Sequence, residues 1–379
     1  MATTDQQISA AEQRRAGSLR AIEEAETPSV PDLSVEVSAS DRPPDGIGRR
    51  LLKPQTLVSF GLAVGIVAFL VTRLDISLSA VWGNVKNANP YLFLLGVLLF
   101  YGTFALRAYR WRWMLSQAGI DREHGYDVPK IPQLMEIMLL SWFVNCIMPA
   151  KLGDAYRCYL LKRQAHAPFS TTLGTILAER LTDLIVLFMT MSVAGAIAFR
   201  GDLPPKVVQT MWIGIVLIAI GLVALGVLAK GRDKILRFIP HRFHAQFDML
   251  QASIFACLRR PLLPIGISIV IWLTDGIRLY AVAASLGAGL SFPLALFVAL
   301  MSALLTTLPI TPAGLGVVEG AIVAVLALVE IDENMGLSVA FMDRLIGYWS
   351  LVVVGIILYV RRLKADVLLA EQPVRTAGD

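Results

Sequence analysis

The chain has 379 residues, 56% of them hydrophobic and only 17% charged. That balance excludes an ordinary soluble enzyme and points to a polytopic membrane protein. A net charge of +5 suits lysines and arginines in loops on one membrane face, so no nucleic-acid partner is expected.

Residues 1–50 are polar and rich in Ser, Glu, Arg and Pro. They read as a disordered cytoplasmic tail without the order of a signal peptide. Apolar segments follow near 55–72, 90–106, 133–148, 181–199, 207–229, 262–286, 291–309, 314–329 and 345–360. Several suffice to cross roughly 30 Å of hydrocarbon at about 1.5 Å per residue. Two places break the pattern. "PAKLGDAYR" (149–157) and "PAGLGVVEG" (312–320) each open Pro-Ala-x-Leu-Gly just after an apolar run. The break is too short to be an ordinary loop. Residues 365–379 read as a C-terminal tail, leaving 51–364 as the membrane domain.

Basic clusters lie before the first span, after the second, after the first broken pair, in the loop 230–260 and after the last span. If every apolar segment crossed, these could not share a side. If each Pro-Gly pair is a re-entrant hairpin, all five face the cytoplasm. The expected fold is therefore all-α and integral to the membrane. It has about six full transmembrane helices plus two oppositely oriented re-entrant helical hairpins, an inverted repeat with copies near 90–199 and 262–360. Both termini are then cytoplasmic. Each hairpin is followed by an acid-Arg-Leu element, Glu179-Arg180-Leu181 and Asp343-Arg344-Leu345. The interval from proline to arginine is 31 residues in one copy (149 to 180) and 32 in the other (312 to 344). Broken helices in inverted repeats are a transporter design.

Charges inside the apolar segments are the candidate functional groups. Asp275 and Arg278 are three apart in "IWLTDGIRLY" and share a helix face. An ionisable group at the bilayer centre costs about 2.5–3.5 kcal/mol, so it needs a partner or a polar cavity. Glu179 and Asp183 share another face beside Arg180, and Asp343 with Arg344 mirrors them. At the first hairpin tip, Asn145 stands four before Pro149. Lys151, Gly153, Asp154 and Arg157 follow. A freed helix N-terminus with these cations suits a phosphate. The second tip has Thr306, Thr307 and Thr311, Pro312, Gly314 and Gly316, and one acid, Glu319. Lys151, Arg157 and Arg180 are the candidate phosphate ligands, with Arg278 and Arg344 as further contacts. Asp154, Glu179, Asp183, Asp275, Glu319 and Asp343 are expected to pair with them or to take protons. "RAYRWRWML" (107–115) reads as interface anchoring or as a headgroup gate. Cys146, Cys158 and Cys257 read as packing residues, and His241 with His244 makes a poor metal site. No cofactor, metal or catalytic residue is expected.

"RAYRWRWML", "NCIMPAKLGDAYRCYLL", "LAERLTDL", "LPITPAGLGVVEGAIV" and "DRLIGYW" occur in this order. They resemble the flippase-like membrane domain of lysylphosphatidylglycerol synthases over about residues 55–362. Pro149, Gly153, Asp154, Arg157, Glu179, Arg180, Pro312, Gly314, Gly316, Glu319, Asp343 and Arg344 match that family's pattern. The resemblance implies a bacterial inner-membrane protein that moves a lipid or lipid-linked headgroup between leaflets. Its partners would be anionic membrane lipids, and its oligomeric state is open. Synthase members carry a soluble aminoacyl-transfer domain after the membrane part. This sequence ends at Asp379, so that activity is not expected of it. Two alternatives stay open. One is a membrane-embedded headgroup transferase, although Asp-x-Asp does not occur. The other is a non-transporting assembly or regulatory protein.

Overall fold

The computed structural model describes residues 77–148, 152–200, 204–307 and 311–370. The expected tail 1–50, the segment 55–72, Pro149 and Lys151 lie outside the described residues. What is described is helical throughout. The helices are α1 (Leu78–Lys86), α2 (Pro90–Gln117), α3 (Ile131–Ile147), α4 (Leu152–Ala165), α5 (Phe169–Ala198) and α6 (Pro205–Lys230). After a short basic turn come α7 (His244–Leu258), α8 (Leu262–Ser285), α9 (Phe292–Thr307), α10 (Val317–Ala327), α11 (Glu333–Arg344) and α12 (Leu351–Ala370).

Five stretches are long and apolar enough to span a membrane: Pro90–Gln117, Phe169–Ala198, Met211–Lys230, Leu262–Ser285 and Glu333–Lys364. The last combines α11, a π turn at 345–350 and α12. Their starts follow local chemistry. Pro90 sits in the first turn of α2, and the Asn89 side chain accepts from Tyr91 N at 2.9 Å. Asp332 caps α11 by accepting from Met335 N.

α2 and α8 pack side by side and run antiparallel. Gly96 faces Val282, Phe100 faces Arg278, Arg107 faces Asp275 and Arg110 faces Ser268. One apolar core joins α5, α8, α9, α10 and α11 through Leu187, Leu279, Phe297, Leu300, Ile322 and Val339. A second joins α2, α3, α4 and the last span through Phe104, Trp111, Ile137, Leu160, Ile346 and Leu351.

The two sequence breaks are the short pairs α3–α4 and α9–α10. At the first, Gly153 carries no side chain because there is no room for one. A Cβ there would collide with Ser141 O and Asn145. Asn145 Oδ1 instead accepts from Gly153 N at 2.8 Å, and Ser141 Oγ donates to Gly153 O at 2.8 Å. The second break turns through Ala313 (φ 50°), Gly314 (φ 70°) and Gly316 (φ 83°), a run that glycine relieves. Thr311 Oγ1 donates to Leu315 O, and the Pro312–Gly314 turn touches α3.

The loop 230–260 contains α7, which packs on α5 and buries Ser253, Ile254 and Cys257. All three cysteines are free and buried, in keeping with a packing role. His244 Nε2 lies 2.9 Å from Ile239 O and 3.1 Å from Leu236 O, which makes it a local turn fastener.

Candidate functional site: a buried ionic network around a cavity

The charges inside the apolar segments are gathered into four neighbouring groups of ion pairs. Arg107 Nη2 lies 3.3 Å from Asp275, and Arg278 Nε lies 3.4 Å from the same carboxylate. Arg278 Nη1 also donates to Asp343. Arg110 donates to Glu179 and Asp183 at 2.8 Å each, and Ser268 Oγ completes that cluster by donating to Asp183 at 2.9 Å. Arg157 donates to Glu179 at 2.9 Å and lies 3.7 Å from the centre of the Trp111 ring. Arg180 grips Asp154 with two nitrogens, at 2.8 and 3.2 Å. Arg344 Nε stands 2.9 Å from Glu319 Oε1, an ionic contact without hydrogen-bond alignment. The second Glu319 oxygen accepts from Gly316 N at 2.6 Å and so caps α10. Six arginines therefore meet six carboxylates, and the network is neutral. Pairing of this kind is what makes buried charge tolerable in a medium of low dielectric.

The pairs are wired the same way twice. The acid of each acid-Arg-Leu element binds an arginine of the preceding span: Glu179 binds Arg110, and Asp343 binds Arg278. The arginine of each element binds an acid after the break: Arg180 binds Asp154, and Arg344 binds Glu319. Arg107 and Asp275, 168 residues apart, stand one turn before Arg110 and Arg278 respectively and pair with each other.

A cavity of about 390 Å³ opens beside this network. Its wall includes four arginines from four helices: Arg107 (α2), Arg180 (α5), Arg278 (α8) and Arg344 (α11). Asp183, Asp275 and Asp343 also face it. Phe100, Trp142 and Trp272 supply aromatic surface, and Ser302, Thr306 and Thr307 supply hydroxyls. The Arg107 guanidinium sits 4.8 Å from the Trp142 ring and 5.5 Å from the Trp272 ring. Among the described residues, four fully buried donors nearby find no hydrogen-bond acceptor: Arg107 Nε, Arg344 Nε and Nη2, and Trp272 Nε1. Each such group typically costs about 1–3 kcal/mol until an acceptor arrives.

Of the residues singled out in the sequence, Arg180, Arg278, Arg344, Asp183, Asp275 and Asp343 line the cavity. Arg157, Glu179, Asp154 and Glu319 stand behind them in the network. Asn145 and Gly153 fasten one break; Pro312, Gly314 and Gly316 shape the other. "RAYRWRWML" is divided by helix periodicity. Tyr109 and Arg112 are exposed, whereas Arg107, Arg110 and Trp111 are buried on the packed face. The first two arginines thus belong to the network and not to a cytoplasmic loop, because α2 continues to Gln117. Their spacing of three along the apolar face is the signal the sequence offers for this. Nothing local to Ser268, Trp142 or Trp272 announces a role.

These features define a polytopic α-helical membrane protein with a neutral ionic network against an internal cavity. The chain belongs to the family described as the lysylphosphatidylglycerol synthase transmembrane region, which matches residues 56–355. A UPF0104 membrane protein of Methanocaldococcus jannaschii is 32% identical over 57% of this chain and 93% of its own length. A UPF0104 membrane protein of Methanothermobacter thermautotrophicus is 25% identical over 80% of this chain and 92% of its own. A Haloferax volcanii protein named glycosyltransferase AglD is 23% identical over 78% of this chain but only 52% of its own length. These relatives are archaeal and lend no support to the bacterial setting that the resemblance implies.

Proposed function

We propose that this protein moves an anionic lipid, or a lipid-linked anionic headgroup, between the two leaflets, with the headgroup passing through the cavity. The observation that carries this is the convergence of arginines at the cavity wall. Four arginines from four helices meet there, against three aspartates. A phosphate oxygen accepts well from guanidinium groups. Arg180, Arg278 and Arg344, with Arg107, are the proposed headgroup ligands. Arg157 acts from behind through Glu179, and Lys151 precedes α4 at the first hairpin tip. A volume of about 390 Å³ is in the range of small-ligand pockets. It suits a headgroup whose acyl chains stay in lipid.

Two oppositely oriented repeats support the same reading. The duplicated wiring and the antiparallel α2–α8 pair are what a two-fold axis in the membrane plane would produce, passing near Arg107–Asp275. α3, α4, α9 and α10 have 17, 14, 16 and 11 residues. All fall short of the ~20 residues a span needs, as arms of re-entrant hairpins would. In this arrangement both termini and the loop 230–260 lie on the cytoplasmic face of the cell membrane. Single cysteines introduced at Arg237 and Arg361, in a chain with Cys146, Cys158 and Cys257 replaced, are expected to react with an impermeant maleimide only after the cytoplasmic face is exposed. Labelling of either in intact cells would overturn the orientation.

Transport is tested in vesicles. Purified protein with fluorescent phosphatidylglycerol and an impermeant quencher is expected to expose inner-leaflet lipid far faster than protein-free vesicles. Arg180→Gln and Arg344→Gln, with melting checked, are expected to lose most of that rate. Wild-type protein no faster than empty vesicles, across anionic and polyprenyl-linked lipids, would refute the proposal.

A further inference from the structure

We infer that Asp275 is a proton-binding site coupled to the headgroup: an anionic phosphodiester replaces it between Arg107 and Arg278 while it takes up one proton. This rests on the proposed passage of an anionic headgroup through the cavity and adds what must accompany it.

Charge balance is the first ground. The network is neutral, with six arginines and six carboxylates. A singly charged phosphate entering it adds one negative charge in a region of low dielectric, where net charge is strongly penalised. Either a cation enters too or a carboxylate becomes neutral. Protonating one carboxylate restores balance with no other change of charge.

Geometry selects the carboxylate. Asp275 is held by contacts of 3.3 and 3.4 Å, whereas Glu179, Asp183 and Asp154 each have a contact of 2.9 Å or less. Charge-assisted pairs normally close to about 2.7–2.9 Å, so Asp275 is loosely seated between its two arginines. It faces the cavity, with its side chain 15% exposed against 5% for Arg107. Releasing it strands only one cation. Arg278 retains Asp343, while Arg107 has no second carboxylate at ion-pair distance among the described residues. The phosphate takes the place that Asp275 leaves, against the guanidinium groups of Arg107 and Arg278, which both line the cavity.

The other groups around Asp275 leave it as the one to titrate. α2 presents Arg107, and α5 presents Arg180 and Asp183, whose partners are Asp154 and Arg110. α11 presents Asp343 and Arg344, paired with Arg278 and Glu319. α9 contributes hydroxyls and has no ionisable side chain. The step balances: phosphate oxygens form hydrogen bonds to Arg107 and Arg278, the contacts of Asp275 with both arginines open, and the Asp275 carboxylate takes a proton from the buffer acid, which is left as its conjugate base.

The test is calorimetric. Full-length protein in detergent is titrated with dioctanoyl phosphatidylglycerol, whose phosphodiester keeps one charge across the neutral range, in two buffers of different ionisation enthalpy. Wild type is expected to take up about one proton per lipid, and its affinity to fall by up to about tenfold per pH unit as pH rises. Asp275→Asn has nearly the same shape and no charge. It is expected to bind with no proton uptake and no pH dependence. Wild-type binding without uptake, or uptake retained in Asp275→Asn, overturns the coupling and leaves the headgroup reading standing. No binding of phosphatidylglycerol removes that reading and this inference together. If Asp275→Asn does not fold, the wild-type proton count decides alone.

Discussion

Glu179→Ala is expected to lower stability by about 3–5 kcal/mol, the cost of stripping a buried charge of its partner. Glu179 accepts from Arg110 and Arg157 at 2.8 and 2.9 Å, and all three side chains are almost fully buried. Arg110 would keep Asp183, but Arg157 has no other carboxylate at ion-pair distance among the described residues. Its guanidinium would be left against the face of Trp111, and a cation–π contact of about 2 kcal/mol at most does not replace the ion pair. Thermal melting in detergent reads the effect. Adding Arg157→Met is expected to recover most of it, because removing both charges together is often close to neutral. The exposed Arg232–Asp248 pair is the contrast: Asp248→Ala should leave the melt nearly unchanged. A Glu179→Ala protein that melts with wild type would show that the network is not structural.

Gly347→Phe is expected to reduce lipid movement to the rate of protein-free vesicles while leaving the fold intact. Gly347 lies in the π turn at 345–350 and lines the cavity, and a Cβ there meets nothing within 4 Å. The new side chain therefore starts in open space at the cavity wall. Replacing a helical glycine removes backbone freedom from the unfolded chain, which offsets the modest helix propensity of Phe, so the melt should hold. Gly266→Phe is the control. It too has open space around it but faces outward, so it should retain transport. A Gly347→Phe protein that moves lipid at the wild-type rate would exclude the cavity as the path. π turns recur at functional sites in other helices, and this one follows Asp343 and Arg344 directly.

Much of the membrane architecture is legible in the chain itself. Apolar runs of span length announce themselves because hydrocarbon tolerates no unpaired backbone. The spans that begin at 90, 211 and 262 lie within a few residues of the expected apolar segments, whereas those at 169 and 333 begin twelve residues before the apolar runs read at 181 and 345. Pro-Ala-x-Leu-Gly marks both breaks, since proline and glycine interrupt a helix for local reasons. Asp275 and Arg278, three apart on one helix, do meet. Longer-range pairings are of a different kind. That Arg110 belongs to Glu179 and Asp183, or Arg278 to Asp343, depends on contacts across 65 to 73 residues of chain. No periodicity encodes such contacts. Arg107 and Arg110 look like headgroup anchors in the sequence because a charge near the end of an apolar run reads the same whether it snorkels to the interface or turns inward. By itself, then, the sequence determined a multi-spanning helical protein, broken twice by the same signal and carrying acids and arginines where lipid alone could not accept them. Tertiary packing decided which charge meets which, that they balance, that Asp275 is loosely held and that a cavity lies beside it. These depend on how α2, α5, α8 and α11 come together, and burial energy is set by neighbours in space.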